Sequence, residues 1–122
     1  MKKRVLVVDD DSWFADVLAS QLRSAGFGVQ IAPNAVEAMA AIDEYEPAVI
    51  ILDIFMPGPN GLVLLQELQS HSDLAQIPVV VCTASAGELR PGDVAAYGVR
   101  QILDKSTMEP PMVAAAVRKV IA

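Results

Sequence analysis

The chain has one cysteine, Cys82, in 122 residues. That excludes an internal disulfide and a cysteine-built zinc site, and gives no support to an oxidising compartment; a reducing cytoplasm fits. Aromatic residues make up 5% of the chain, with a single tryptophan, and positive charge is scarce: nine lysines and arginines stand against fifteen acids, for a formal charge of −6 and a pI near 4.5. No basic field is available to attract a phosphate backbone or an anionic membrane surface, so direct binding to nucleic acid or membrane is not expected. Long apolar runs are also missing. The opening Met1-Lys2-Lys3-Arg4 resembles the start of a secretory signal, but the apolar stretch from Val5 ends at Val8 against three aspartates. A signal core needs about 7–15 apolar residues, and a membrane span about 20.

What is present is apolar matter in short, spaced pieces. A hydrophobic content of 53% and a mean hydropathy of +0.41 suit one domain over residues 1–122, with one sizeable core, and argue against disorder. Val5 to Val8, Ala48 to Leu52, Val79 to Cys82 and Val99 to Leu103 are mostly unbroken by polar residues, as strands buried on both faces are. Gly28 to Ala32 alternates and reads as an edge strand. Helical spacing joins Phe14, Val17, Leu18 and Leu22; Val36, Met39, Ala40 and Ile42; Leu62, Leu65 and Leu68; and, after Pro110-Pro111, Met112, Val113, Ala116, Val117 and Val120. Gly26 and Gly98 stand where helices end, and Pro91-Gly92 requires the fourth helix to be short and to start near Pro91. Strand and helix alternating five times predict a doubly wound α/β fold with a parallel sheet, whose ligands bind beyond the carboxyl ends of the strands.

Those ends carry the chemistry. The first run leads into Asp9 and Asp10, the third into Asp53, the fourth into Thr83 and the fifth into Lys105. Crowded carboxylates repel and call for a cation; Mg²⁺ takes hard oxygen ligands and keeps waters that a phosphate oxygen can replace. Lys105 adds a second positive charge and Thr83 a hydroxyl donor. A carboxylate nucleophile, a metal, a lysine and a hydroxyl are the parts of phosphoryl transfer, whose catalysis is positioning and charge neutralisation. Any one of these aspartates could be an ordinary turn residue or helix cap, and Asp11 or Ser12 has that look. It is the set at one end of the sheet that points to function.

With Val7-Val8-Asp9-Asp10, Ile51-Leu52-Asp53-Ile54-Phe55-Met56-Pro57 followed by Gly61, Val81-Cys82-Thr83-Ala84 and Leu103-Asp104-Lys105 in place, the chain resembles the receiver domain of two-component response regulators over essentially its whole length. The resemblance implies a flavodoxin-like (βα)5 sandwich with strand order 2-1-3-4-5. It implies that Asp53 accepts a phosphoryl group from the phosphohistidine of a sensor histidine kinase or phosphotransfer protein. Asp10 would ligate Mg²⁺ directly, Asp9 largely through water, and the Phe55 carbonyl would complete the protein ligands beside Asp53. Thr83 and Lys105 would take the phosphoryl oxygens, with Met56, Pro57 and Gly61 shaping the following loop. The output would be a change in protein contacts: with a downstream target, a fused output domain or a second copy.

The chain also departs from the family pattern. Ser106 stands where proline usually follows the lysine through a cis bond, so a trans bond and a displaced loop are expected, because a non-proline cis bond costs about 2.5–4 kcal/mol. Ile102 replaces the aromatic residue that usually couples to the threonine, with Tyr97 and Trp13 as the alternatives nearest to hand; core packing suits the first and partial exposure on helix one the second. Phe55 occupies an often polar position that governs access of hydrolytic water, and a long-lived phosphoryl state follows. Ala114 to Ala116 alter a face many receivers use for contacts, and His71 reads as a solvated turn residue. One rival is a receiver-like docking module that has lost its switch. Another is a Mg²⁺-dependent phosphohydrolase, which needs an acid two residues after the nucleophile, where Phe55 stands.

Overall fold

The structure, a computed structural model, describes residues 2–56 and 61–121. Five parallel strands, β1 (Arg4–Val8), β2 (Gly28–Ala32), β3 (Val49–Leu52), β4 (Val79–Thr83) and β5 (Val99–Asp104), form one sheet in the order β2-β1-β3-β4-β5. The connecting helices are α1 (Ser12–Ser24), α2 (Ala35–Tyr45), α3 (Gly61–Gln69), α4 (Pro91–Ala95) and α5 (Pro111–Ile121). This is the doubly wound arrangement expected from the alternation, with the flavodoxin-like strand order that the resemblance implies.

Successive strand side chains point to opposite faces, and that period sorts the core into two layers. Val5 and Val7 of β1, Val49 and Ile51 of β3, and Val80 and Cys82 of β4 pack against Ala15, Leu18 and Leu22 of α1 and Val113, Ala116 and Val117 of α5. Leu6, Val8, Ile50, Leu52, Val79 and Val81 turn the other way, onto Ala38 and Ile42 of α2 and Leu64, Leu65 and Leu68 of α3. An apolar residue is therefore required at every position of β1, β3 and β4 that faces either layer. The edge strands differ. β5 carries an exposed Arg100 and half-buried Gln101, Ile102 and Asp104, so it is not buried on both faces as its sequence suggested. Its pairing with β4 is interrupted between Val79 and Val80, which oppose Val99 and Gln101 and leave Arg100 over as a bulge. β2 is an edge as expected, but its first four residues are all half-buried and do not alternate.

Local chemistry sets the helix ends. Asp11 caps α1 by accepting from the Phe14 N–H at 3.1 Å, and Asn34 caps α2 by accepting from Glu37 N–H at 2.8 Å; each satisfies a donor the first turn leaves free. Gly26 and Gly98 carry φ of 96° and 84°, a region open to glycine at little cost. α4 begins at Pro91 after an irregular stretch that includes a short 3₁₀ turn at Ala86–Glu88. Two helix faces differ from expectation. On α2 the buried residues are Ala35, Ala38, Ala41 and Ile42, while Val36 is 70% exposed and Ala40 lies outside. On α5, Met112 is 46% exposed and Ala114 is buried in the core, beside Ala116, whose burial the spacing predicted. Among the described residues no helix is long and apolar enough to cross a membrane.

Candidate functional site

Asp9, Asp53 and Lys105 each continue a strand, held by one more rung of the ladder, and Thr83 is the last residue of β4. The Asp9 N–H donates to the Ala32 carbonyl at 3.1 Å, Asp53 N–H to the Val8 carbonyl at 2.9 Å, and Lys105 N–H to the Thr83 carbonyl at 3.0 Å. The rungs run from one strand to its neighbour across the sheet, so the carboxyl ends of β2, β1, β3, β4 and β5 are in register at this edge. Buried apolar strands thereby aim short polar side chains into one depression.

Three of the five side-chain candidates meet there directly. Asp9, Asp10 and Asp53 present carboxylate oxygens within 4.8 Å of one another, and Asp9 and Asp53 are buried while Asp10 is exposed. Lys105 crosses from β5 to join them: its Nζ lies 2.7 Å from Oδ2 of Asp9 and 3.0 Å from Oδ2 of Asp53. The same ammonium sits 4.6 Å from the centre of the Phe14 ring on α1, whose face favours a cation. The remaining oxygens are engaged by backbone: Asp9 Oδ1 accepts from Asp11 N–H at 2.9 Å and Asp53 Oδ1 from Phe55 N–H at 3.1 Å. Thr83 is buried at the end of β4, beside β3, and its Oγ1 accepts from Ser85 N–H at 3.3 Å. Phe55 follows the acceptor candidate with its ring 42% exposed.

The electrostatics follow from burial. Desolvation pushes the Asp9 carboxyl above its ordinary value, and hydrogen bonds from Lys105 and the Asp11 N–H offset only part of that. Burial pulls the Lys105 ammonium down, but the bonds to Asp9 and Asp53 outweigh it and leave it raised. Three carboxylates and one lysine leave an excess of negative charge in a partly dry site. The donor set is carboxylate oxygen alone, with no imidazole or thiolate among the residues that meet. That composition fits a hard divalent cation such as Mg²⁺. Cys82, one residue before Thr83, takes no part: burial pushes its thiol up to about 12 and its Sγ contacts Met108 Sδ at 3.2 Å.

Gly61 contributes in a way its sequence context concealed. Its requirement is space: a Cβ there would lie 2.7 Å from Ile54 Cα and 3.0 Å from the Asp53 carbonyl oxygen. With its N–H on the Ile54 carbonyl at 2.9 Å, Gly61 brings the start of α3 hard against the backbone of Asp53. Pro57, expected to shape the same loop, lies outside the described residues.

Sequence reasoning overlooked Asp104. Its Oδ1 accepts from Ser106 N–H at 2.8 Å and from Ser106 Oγ at 2.6 Å. The signal was present, since Asp two residues before Ser is a common side-chain turn. The Lys105 to Ser106 bond is trans, no cis peptide occurring among the described residues, and Lys105 reaches the aspartates from it. Tyr97 packs half-buried against the α2/α3 layer, Trp13 is 72% exposed, and His71 is an exposed turn residue 3.6 Å from Glu67.

Comparison with known proteins gives a consistent picture. Residues 5–117 match the model of the response regulator receiver domain family. The DNA-binding response regulator MtrA of Mycobacterium tuberculosis is 36% identical over 84 residues, 69% of this chain and 36% of that protein, so the aligned part spans about a third of the curated relative. Among solved structures, the chemotaxis protein CheY4 of Vibrio cholerae superposes with a TM-score of 0.86 at 25% identity, covering 98% of this chain and 99% of that one. A sensor protein from Polaromonas shares the fold at a TM-score of 0.89 and 22% identity, covering 99% and 97% of the two chains.

Proposed function

Because the chain belongs to the response regulator receiver domain family, whose members signal by accepting a phosphoryl group, we propose that residues 1–122 form one receiver module, phosphorylated on Asp53 and dependent on Mg²⁺. The observation that carries the assignment is the bridge from Lys105 to both Asp9 and Asp53, at 2.7 and 3.0 Å, with an oxygen of Asp10 in the same cluster. The donor would be a phosphohistidine of a sensor histidine kinase or phosphotransfer protein. An oxygen of the Asp53 carboxylate attacks phosphorus, the phosphorus–nitrogen bond breaks, and the imidazole leaves with the electron pair and takes a proton.

Asp10 would hold Mg²⁺ directly, Asp9 largely through water, and Asp53 and the Phe55 carbonyl would complete the protein ligands. When bound, the cation supplies charge neutralisation for the phosphoryl oxygens. Lys105 would follow the new charge: once one Asp53 oxygen is phosphorylated to an acyl phosphate, its ammonium, 3.0 Å from Asp53 Oδ2, could pass from the carboxylate to a phosphoryl oxygen. The Thr83 hydroxyl donates to another. The chain would act in the cytoplasm, through a protein target, a fused output domain or a second copy, and would catalyse only its own phosphorylation and dephosphorylation. Ile102 favours a second reading, a docking module in which the threonine-linked relay is altered.

Acetyl phosphate with Mg²⁺ should add one phosphoryl group by intact mass. The adduct should vanish in Asp53→Ala and in excess chelator. No adduct under saturating donor would favour the docking module, and a parental yield from Asp53→Ala would remove Asp53 as the acceptor.

A further inference from the structure

Lys105 must be held from a difficult place. It leaves β5, an edge strand with a neighbour on one side only, and the residue after it is Ser106, which restricts the backbone far less than a ring would. The rung from Lys105 N–H to the Thr83 carbonyl fixes one end of the residue. The other end is gripped from Asp104. Its carboxylate Oδ1 takes both Ser106 donors, N–H at 2.8 Å and Oγ at 2.6 Å, while its carbonyl accepts from Thr107 N–H at 3.2 Å and Met108 N–H at 2.9 Å. Asp104 is itself paired with Thr83 in the strand register. The chain thus closes a ring around Lys105, anchored on the strand that carries the hydroxyl of the site. Charge-assisted bonds of this kind are roughly twice as strong as neutral ones, and the two bonds from Ser106 hold the Asp104 carboxyl below its ordinary value.

We propose that Asp104 and Ser106 are positioning residues for phosphoryl transfer: by clamping the backbone on the far side of Lys105, they fix the point from which its ammonium reaches Asp9 and Asp53. The clamp does with hydrogen bonds across a trans peptide what a rigid ring would do covalently. Neither residue touches the reacting atoms, so their effect passes through Lys105. The proposal rests on Asp53 being the acceptor.

The initial rate of adduct formation from acetyl phosphate, measured against donor and Mg²⁺ concentration in the 122-residue chain, tests it. Asp104→Ala should lower the maximal rate on the order of tenfold, as small misplacements do, with the Mg²⁺ concentration for half-saturation within twofold of the parent. Ser106→Ala should lower it less, and Ser106→Thr, which keeps the hydroxyl, should restore most of that loss. Asp104→Ala combined with Lys105→Ala should be no slower than Lys105→Ala alone. A parental rate from Asp104→Ala overturns the clamp, as do losses that multiply in the double variant. A separate readout keeps the two readings apart: acetylation of Lys105 by acetic anhydride, mapped by peptide mass, should rise several-fold in Asp104→Ala. If the parent takes no phosphoryl group the acceptor reading fails, yet unchanged Lys105 reactivity would still overturn the clamp and raised reactivity would support it.

Discussion

At the scale of single residues, the site trades stability for chemistry. Burial raises the carboxyl of Asp9 more than its hydrogen bonds lower it, so between the ordinary carboxylate range and that raised value the native state binds more protons than the unfolded chain. Stability is then full below that range and falls as pH rises through it, which makes ionised Asp9 a net cost at neutral pH. Asp9→Asn keeps the shape and leaves Lys105 its bond to Asp53. In chelator at pH 7 it should raise the urea midpoint, and the gain should vanish when the melts are repeated near pH 3. On the proposed mechanism Phe55 would act on the phosphorylated state instead. Its ring is partly exposed two residues after Asp53, an apolar wall where an amide could orient water. Phe55→Asn should therefore shorten the half-life of the adduct several-fold in Mg²⁺, followed by mass after the donor is removed; an unchanged half-life would exclude the ring as a barrier.

At the scale of elements, what could be read in advance depended on how large the signal residues are. The three central strands were legible because both of their faces meet helices, so every position of β1, β3 and β4 that faces the core had to be apolar. β5 looked equally buried, since Val99, Ile102 and Leu103 do enter the core, but the Arg100 bulge and the edge position are properties of pairing, which no strand carries in its own sequence. α2 was misphased for another reason. Its fully buried residues are three alanines and Ile42, close to the sheet, with Met39 packed beside them, and the larger but exposed Val36 suggested a stripe turned round the axis. Alanine is a weak hydrophobic marker and a strong helix former, so the smallest residues, which allow the closest approach, left the faintest pattern. The observed phase has a measurable consequence. Val36→Ser should change stability by no more than about 0.5 kcal/mol, as exposed substitutions do. Ala38→Leu should cost about 1–3 kcal/mol by overpacking, and chemical denaturation of the two variants reads the difference directly.

At the scale of the whole molecule, the site was legible because the fold turns sequence order into spatial convergence: residues as distant as Asp9, Asp53 and Lys105 each end a strand, and parallel strands end together. The turn that Asp104 makes with Ser106 was legible and went unread, whereas the role of Gly61 was not legible, since it depends on a 2.7 Å approach between α3 and β3's extension. The same topology polarises the charge. Arg23 ends α1, Arg118 and Lys119 end α5, and Lys2, Lys3 and Arg4 enter β1, all at the end opposite the site, where cations also complement the helix dipoles. Of the nine lysines and arginines only Arg90, before α4, and Lys105 lie toward the carboxyl ends of the strands. The acidic cluster therefore has few cations near it apart from Lys105. Divalent cations should be drawn to it with a strength that salt erodes, the Debye length shrinking to about 10 Å at 0.1 M. Binding of Mg²⁺ to the native state alone should raise stability by about 2.7 kcal/mol at a concentration 100-fold above its dissociation constant. Raising KCl from about 20 to 200 mM, across which screening becomes short-ranged, should weaken the constant several-fold, read from the Mg²⁺ dependence of the melting temperature. Asp10→Asn should abolish the Mg²⁺-dependent rise at either salt, because Asp10 is the exposed carboxylate of the cluster and the proposed direct ligand. If Asp10→Asn kept the full rise, the stabilising cation would be binding elsewhere on this acidic chain.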